Sequence, residues 1–185
     1  MDNGGTEMII MINGAFGVGK TTVANELLQT VSNSMLYDPE IVGFMLREII
    51  TEDIKHENEK TDNFQDLELW KVLVVHVAKQ LKTKYNKNLI VPMTIYNKEY
   101  LQYILEGFKE IDEKTFHFCL IAKEETIFER LRQRGEAEGN WCYQQSRKCV
   151  EAYKDQYFEE FIETDHTSID DIVQRIQNEV SLLNA

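Results

Sequence analysis

The chain has 185 residues, 43% hydrophobic and 28% charged, with two prolines; this suits one domain with a real core and excludes a disordered chain. Lys and Arg number 20 against 32 Asp and Glu, so the formal charge is −12 and the resulting field repels nucleic acid and anionic membrane surfaces. The opening MDNGGTE lacks the basic and apolar regions of a signal peptide, and no run reaches the length of a membrane span. Cys119, Cys142 and Cys149 lack C-x-x-C spacing. The expectation is a cytoplasmic protein with reduced thiols and no integral membrane segment.

Residues 8–12 (MIIMI) form a short continuous apolar run, as a strand covered on both faces requires. After it, Gly14-Ala15-Phe16-Gly17-Val18-Gly19-Lys20-Thr21 satisfies G-x-x-x-x-G-K-[ST] and leads into a helix expected over 18–31. In such a loop the glycines let successive N–H groups converge on phosphate oxygens, and the helix adds its positive N-terminal end. Lys20 would reach the β- and γ-phosphates and Thr21 would hold Mg²⁺. Residues 14–22, through Thr22, are therefore the expected contacts of ATP. The bland alternative is a Gly-rich turn with an incidental lysine.

A second strand, 34–38 (SMLYD), ends at Asp38. That carboxylate suits three roles: a metal-linked acid, an acceptor for the hydrogen bond of a substrate hydroxyl, or the N-cap of the helix expected over 40–51. On that helix Arg47 either holds an acceptor substrate or is a surface residue beside Glu48. DNFQDLELW begins a helix over 64–85 with Phe64, Leu67 and Trp70 at helical spacing; a core stripe is the default, with Asp66 and Trp70 as candidate substrate contacts.

The third strand, 89–95 (LIVPMTI), carries Pro92, which belongs near its carboxyl end. A helix over 97–110, a strand over 116–122 and a helix over 124–134 follow. FERLRQRGEAEGNW places Arg130 and Arg134 one turn apart, with Gly135 and Gly139 as hinges before Trp141 and Arg147. The pattern predicts a lid over roughly 130–147 whose arginines neutralise a transferring phosphoryl group; the alternative is a solvated face pairing with Glu125, Glu129 and Glu136. A helix over 140–158, on which Cys142 and Cys149 share a face, a weak strand over 161–165 and a helix over 168–183 capped by Ser168 complete the chain. The loop after the fifth strand is expected beside the adenine. His56, His76, His117 and His166 have no metal-ligand partner at useful spacing and are expected to be structural or surface residues.

Strands alternating with helices argue for a parallel sheet with right-handed crossovers. The expected fold is a three-layer α/β phosphate-loop kinase fold: one domain over 1–185, a mostly parallel five-stranded sheet with helices on both faces, and a short arginine-bearing lid.

INGAFGVGKT, YDPEIVGFMLRE, DNFQDLELW, LIVPMTI, ETIFERLRQR, RKCVE and TDHTSIDD together resemble the tunicamycin-resistance protein family, from about residue 9 to residue 176. The resemblance implies an ATP-dependent protein that confers resistance to a nucleoside antibiotic bearing sugar hydroxyls. Met93-Thr94 stands where nucleotide kinases carry Asp-Gly, which counts against a nucleotide kinase. The chain ends at Ala185, just past the last helix, so a membrane-associating tail of the kind relatives carry is expected to be missing.

The expected activity is transfer of the γ-phosphate of Mg-ATP to a hydroxyl of a small molecule, for which the resemblance implies a tunicamycin-like compound. Asp38 orients or deprotonates the acceptor, and Lys20, Arg130 and Arg134 stabilise the transferring charge. Phe16, the bulky residue of the loop, is expected to face the acceptor, with Arg47, Asp66 and Trp70 around it. The competing readings are an ATP-dependent protein that sequesters drug without turnover, and a nucleotide kinase.

Overall fold

A computed structural model describes residues 7–158 and 160–182; positions 1–6 of the opening stretch, and 183 at the expected end of the last helix, lie outside the described residues. The strands are β1 (Ile9–Gly14), β2 (Ser34–Leu36), β3 (Asn88–Met93), β4 (Thr115–Ile121) and β5 (Phe161–Glu163). The α-helices are α1 (Lys20–Thr30), α2 (Pro39–Ile49), α3 (Glu68–Tyr85), α4 (Lys98–Ile111), α5 (Glu124–Gln133), α6 (Trp141–Ala152) and α7 (Ile169–Leu182). The strands form one sheet in the order β2-β3-β1-β4-β5, and every pair is parallel.

Both sides of β1 are buried, which is why its sequence is a continuous apolar run rather than an alternating one. Ile9 and Met11 pack into a core with Val42, Trp70, Val74, Ile104 and Phe108, on the side covered by α2, α3 and α4. Ile10 and Ile12 enter the opposite core with Val23, Leu27, Ile172 and Ile176, under α1 and α7. Helices on both faces of a parallel sheet are the expected three layers, with ligand crevices at the carboxyl ends of the strands.

Of the boundaries that differ from the expected ones, three bear on the site. The ladder of β3 stops at Met93 because its partner β1 turns away at Gly14. Asn13 then replaces the next rung: its Oδ1 accepts from Ile95 N at 2.9 Å and its Nδ2 donates to Ile95 O at 3.0 Å. The helix expected from residue 64 instead begins with one 3₁₀ turn, Phe64–Asp66, followed by extended Leu67 (φ −69°, ψ 120°), which is 2% exposed in the core. The helix expected over 140–158 ends at Ala152, and Asp155 caps a separate 3₁₀ turn, Gln156–Phe158.

Candidate active site

The loop between β1 and α1 passes through Gly17 (φ 82°) and Gly19 (φ 109°), in the region that glycine enters without a steric penalty. A Cβ at Gly17 would lie 3.1 Å from the Ile127 carbonyl oxygen and 3.2 Å from Leu131 Cγ, so α5 packs closely against the loop there. Helix α1 opens at Lys20 with neither a side-chain cap nor an acidic residue in its first turn, which leaves its first amides to an anion. By contrast, α2, α4 and α6 are capped by Asp38, Asn97 and Asn140.

Lys20 is buried: its Nζ donates to the Ala15 carbonyl at 2.8 Å and lies 5.4 Å from the centre of the Phe16 ring. Burial lowers its pKa from 10.5 to about 8, against the opposing pull of Glu40. Lys20, Thr21, Asp38, Glu40, Pro92 and Arg134 line a cavity of about 150 Å³ above the loop. Asp38 also caps α2, accepting from Glu40 N at 2.9 Å, so capping and a place in the cavity coexist. Among the described residues no group of three or more His, Cys, Asp or Glu side chains gathers to hold a metal. The Thr21 hydroxyl and the Asp38 carboxylate line one cavity, and hard oxygen donors of this kind suit Mg²⁺ shared with phosphate oxygens.

Arg130 and Arg134 share a helix face, as expected, and both line a neighbouring cavity of about 450 Å³ with Thr22, Thr167 and Ser168. Only Arg134 also reaches the cavity above Lys20. The Arg130 guanidinium is held by the Thr164 carbonyl (2.8 Å), the Thr164 hydroxyl (3.0 Å) and the Val18 carbonyl (3.3 Å), tying α5 to the phosphate loop and to the segment after β5. Gly135 and Gly139 lie between α5 and α6, and a Cβ at either would meet nothing within 4 Å. Arg147 belongs to α6, where it pairs with Glu124 and stacks on Phe128. Ser168 caps the last helix as expected, accepting from Asp171 N at 3.1 Å.

A second cavity, of about 410 Å³, opens beside the first and is walled by the rings of Phe16, Phe44, Phe64, Tyr96 and Trp141. Phe16 packs edge-on to Trp141 with ring centres 5.4 Å apart, and Phe44 meets Phe64 at 5.6 Å. Its polar lining comes from Asn63, Gln65, Thr94 and Gln145. Two shielded polar atoms on lining residues, Thr94 Oγ1 and Trp141 Nε1, have no hydrogen-bond partner. The ionic groups are Glu40, Asp62 and Arg47; the Arg47 guanidinium donates to the Asp62 carbonyl and stacks on the Phe64 ring.

Two expected acceptor contacts fall outside this cavity. Trp70 is 1% exposed and its Nε1 donates to the Pro39 carbonyl at 3.1 Å, so it is a core residue. Asp66 accepts from Thr61 Oγ1 (2.7 Å) and Tyr100 OH (3.1 Å), and its neighbours Asn63, Phe64 and Gln65 line the cavity instead. The cause is the break at Leu67, which destroys the continuous helical phase that would have put 66 and 70 on one face. Glu40 was legible but missed: it stands four residues before Phe44 and seven before Arg47, on the α2 face turned to the cavity.

The two cavities are braced through one buried amide. Asn13, fully buried, accepts from Gly14 N (2.9 Å) at the start of the phosphate loop and brackets Ile95 between the cavity residues Thr94 and Tyr96. Tyr153 OH, beyond the end of α6, bonds both Asn13 Oδ1 (3.2 Å) and the Ile95 carbonyl (3.0 Å).

This architecture, a phosphate loop at the end of the central strand of a parallel sheet, is that of the phosphate-loop kinases. A family profile described as an AAA domain matches residues 10–165, and the chain belongs to that family. No curated protein matches by sequence. Among solved structures, the tunicamycin resistance protein of Deinococcus radiodurans is similar in fold, with a TM-score of 0.76 and 23% identity over 95% of this chain and 96% of that one. A gluconokinase from Sinorhizobium meliloti gives 0.65 and 15% identity over 97% and 94% of the two chains. Shikimate kinase from Acinetobacter baumannii gives 0.60 and 16% over 97% and 96%.

Proposed function

We propose that the protein is an ATP-dependent phosphotransferase acting on a hydroxyl of an uncharged small molecule, with a nucleoside antibiotic of the tunicamycin type as the leading candidate. The observation that carries this reading is the adjacency of the two cavities: the one above Lys20 suits a triphosphate, and the aromatic one beside it suits an acceptor. The ionic lining of the acceptor cavity, Glu40 and Asp62 against an Arg47 already engaged, favours a neutral molecule over a carboxylate or a phosphate ester. Its rings suit a flat or sugar-bearing compound, and the unpartnered Thr94 and Trp141 atoms are consistent with a polar ligand.

In this reading the loop amides, the N-terminal end of α1 and Lys20 hold the phosphates, and Arg134 neutralises charge on the group in transit. Arg130 braces the adenine side rather than the transferring group. Mg²⁺, held by Thr21 with Asp38 nearby, would offset the charge of the phosphate oxygens. The segment over roughly 130–147, with Gly135 and Gly139 as hinges, serves as the lid within one domain. The similar antibiotic-resistance protein supports the drug as acceptor. Among the described residues no helix is long and apolar enough to cross a membrane, in keeping with action in the cytoplasm.

The test is incubation with Mg-ATP and tunicamycin followed by mass spectrometry. One added phosphate on the drug, with ADP formed in equal amount, is the expected result. Drug that binds only in the presence of ATP yet keeps its mass would make the protein a sequestering module instead.

A further inference from the structure

Three carboxamides, those of Asn63, Gln65 and Gln145, line the aromatic cavity, and the protein already uses two of them. Asn63 Oδ1 accepts from Gln65 N at 3.2 Å, and Gln65 Nε2 donates to the Thr94 carbonyl at 2.7 Å. Gln145 differs: the residue is 3% exposed, yet its side-chain amide makes no hydrogen bond among the described residues. Nor is that amide shielded in the way that Thr94 Oγ1 and Trp141 Nε1 are. The little surface that Gln145 keeps therefore includes its amide, which is aimed into the cavity that the residue lines. A buried amide without a protein partner is costly, and a ligand that pairs with it accounts for its presence.

The helix that carries Gln145 is held firmly. Asn140 caps α6, and Ser146 Oγ donates to the Phe16 carbonyl at 3.3 Å, pinning the helix to the phosphate loop. Trp141 stands four residues before Gln145 and so shares its helix face, with its ring centre 5.4 Å from that of Phe16. Ring and amide are thus presented together to the cavity, and the Phe44–Phe64 pair supplies further aromatic wall.

We propose that Gln145 is a specificity-determining residue that reads the planar edge of an uncharged pyrimidine base of the uracil type, seated among the rings of Phe16, Phe44, Phe64 and Trp141. A carboxamide offers an acceptor and a donor side by side in one plane. Its complement is a rigid edge on which an N–H and a C=O stand next to each other, as N3–H and O4 do in uracil, and bidentate amide-to-base pairs of this kind discriminate bases well. The aromatic walls add stacking, which suits a flat ring. Sugar hydroxyls rotate and are not confined to a plane, so a lone carboxamide reads them less sharply. An anionic ligand would need a free counter-charge, and Arg47 is already engaged by the Asp62 carbonyl and the Phe64 ring. The sugar of a bound nucleoside is then the part left for the phosphate side.

The inference rests on the acceptor cavity of the phosphotransferase reading above, but its test needs binding alone. Calorimetric titrations in the presence of ADP and Mg²⁺ compare uridine, N3-methyluridine, in which the edge is blocked, and methyl riboside, which has no base. Wild type is expected to bind uridine about 5- to 150-fold more tightly than N3-methyluridine, the usual range for one bidentate pair. Gln145→Leu should lose that preference while its ADP affinity matches wild type; a merely structural role would weaken both nucleosides alike and leave the preference standing. The wild-type comparison decides by itself should the variant fail to fold. Four results would each overturn the assignment: no binding of uridine by wild type, no preference between the two nucleosides, methyl riboside bound as tightly as uridine, or a preference that survives in Gln145→Leu. Transfer of phosphate to tunicamycin is measured separately. A wild type that discriminates the two nucleosides but transfers nothing keeps the role of Gln145 and removes the kinase reading.

Discussion

The two cavities meet at a shared wall but are made in different ways. The cavity above Lys20 is lined by one short stretch of the loop, Phe16 to Thr21, with Asp38, Glu40, Pro92 and Arg134 as additions from elsewhere, and it presents backbone amides, a lysine and a helix end. The acceptor side is gathered from the phosphate loop, α2, the turn at 63–65, the segment after β3 and the first turns of α6, and it acts through side chains. A backbone-built site tolerates sequence change outside its motif, because amides are common to all residues. A side-chain-built site changes its ligand whenever one ring or amide changes. The fold as a whole is similar to that of a gluconokinase, a shikimate kinase and an antibiotic-resistance protein at 15–23% identity.

The contrast can be broken from the phosphate side first, where the effect should be largest. Lys20→Ala removes the charged contact to the phosphates and is expected to weaken ATP binding by about 10- to 100-fold. It relieves a buried cation but also takes the donor from the Ala15 carbonyl and the neighbouring charge from Glu40, so the melting temperature of the unliganded protein should change little. Calorimetric titration with ATP and a thermal melt check both halves. A melting temperature lowered by several degrees, with ATP affinity unchanged, would make Lys20 a structural residue.

From the acceptor side the sharper probe is Gly43. An added Cβ would sit 2.2 Å from the Phe64 ring, which is 5% exposed and has little room to retreat. Gly43→Ala should therefore displace an acceptor wall, cost about 1–3 kcal/mol of stability through overpacking, and reduce affinity for the acceptor. Its ATP affinity should match wild type. Denaturant unfolding and the two binding titrations give the answer, and an equal loss of both ligands would mean that the cavities do not behave as separate units.

The smallest expected effect sharpens the electrostatics of the shared wall. In the unliganded protein the Lys20 pKa is depressed to about 8, so near pH 8 about half of the molecules carry a neutral amine there. Phosphate oxygens restore the charge, so ATP binding should take up about half a proton at pH 8 and almost none at pH 6.5. The same depression penalises the folded state most below the folded pKa, where the unfolded lysine is charged at no cost, and the penalty fades as pH rises from about 8 toward 10.5. Titrations in buffers of different ionisation enthalpy measure the uptake directly, and Lys20→Ala should abolish it.

Seen from the sequence, the backbone of the loop between β1 and α1 was legible nearly to the residue. The loop, its strand and its helix are adjacent in the chain, so spacing encodes geometry: Gly17 and Gly19 take up left-handed backbone, and Asp38 caps its helix from inside the cavity. The acceptor half was legible only in part. Phe16 and Arg47 line the aromatic cavity, while Trp70 went to the core and Asp66 to a pair of hydroxyls because Leu67 interrupts the helical phase.

The sequence by itself determined the alternation of strands and helices, the parallel sheet and the phosphate loop, because each follows from local periodicity or from contiguous residues. Tertiary structure decided which side chains face one another across distant segments: that Arg130 braces the loop while Arg134 reaches the cavity, that Asn13 stands in for a missing rung, and that Glu40 lies where the two cavities meet. Those relations depend on how helices seat on the sheet to within about one side chain, and local pattern does not carry that distance.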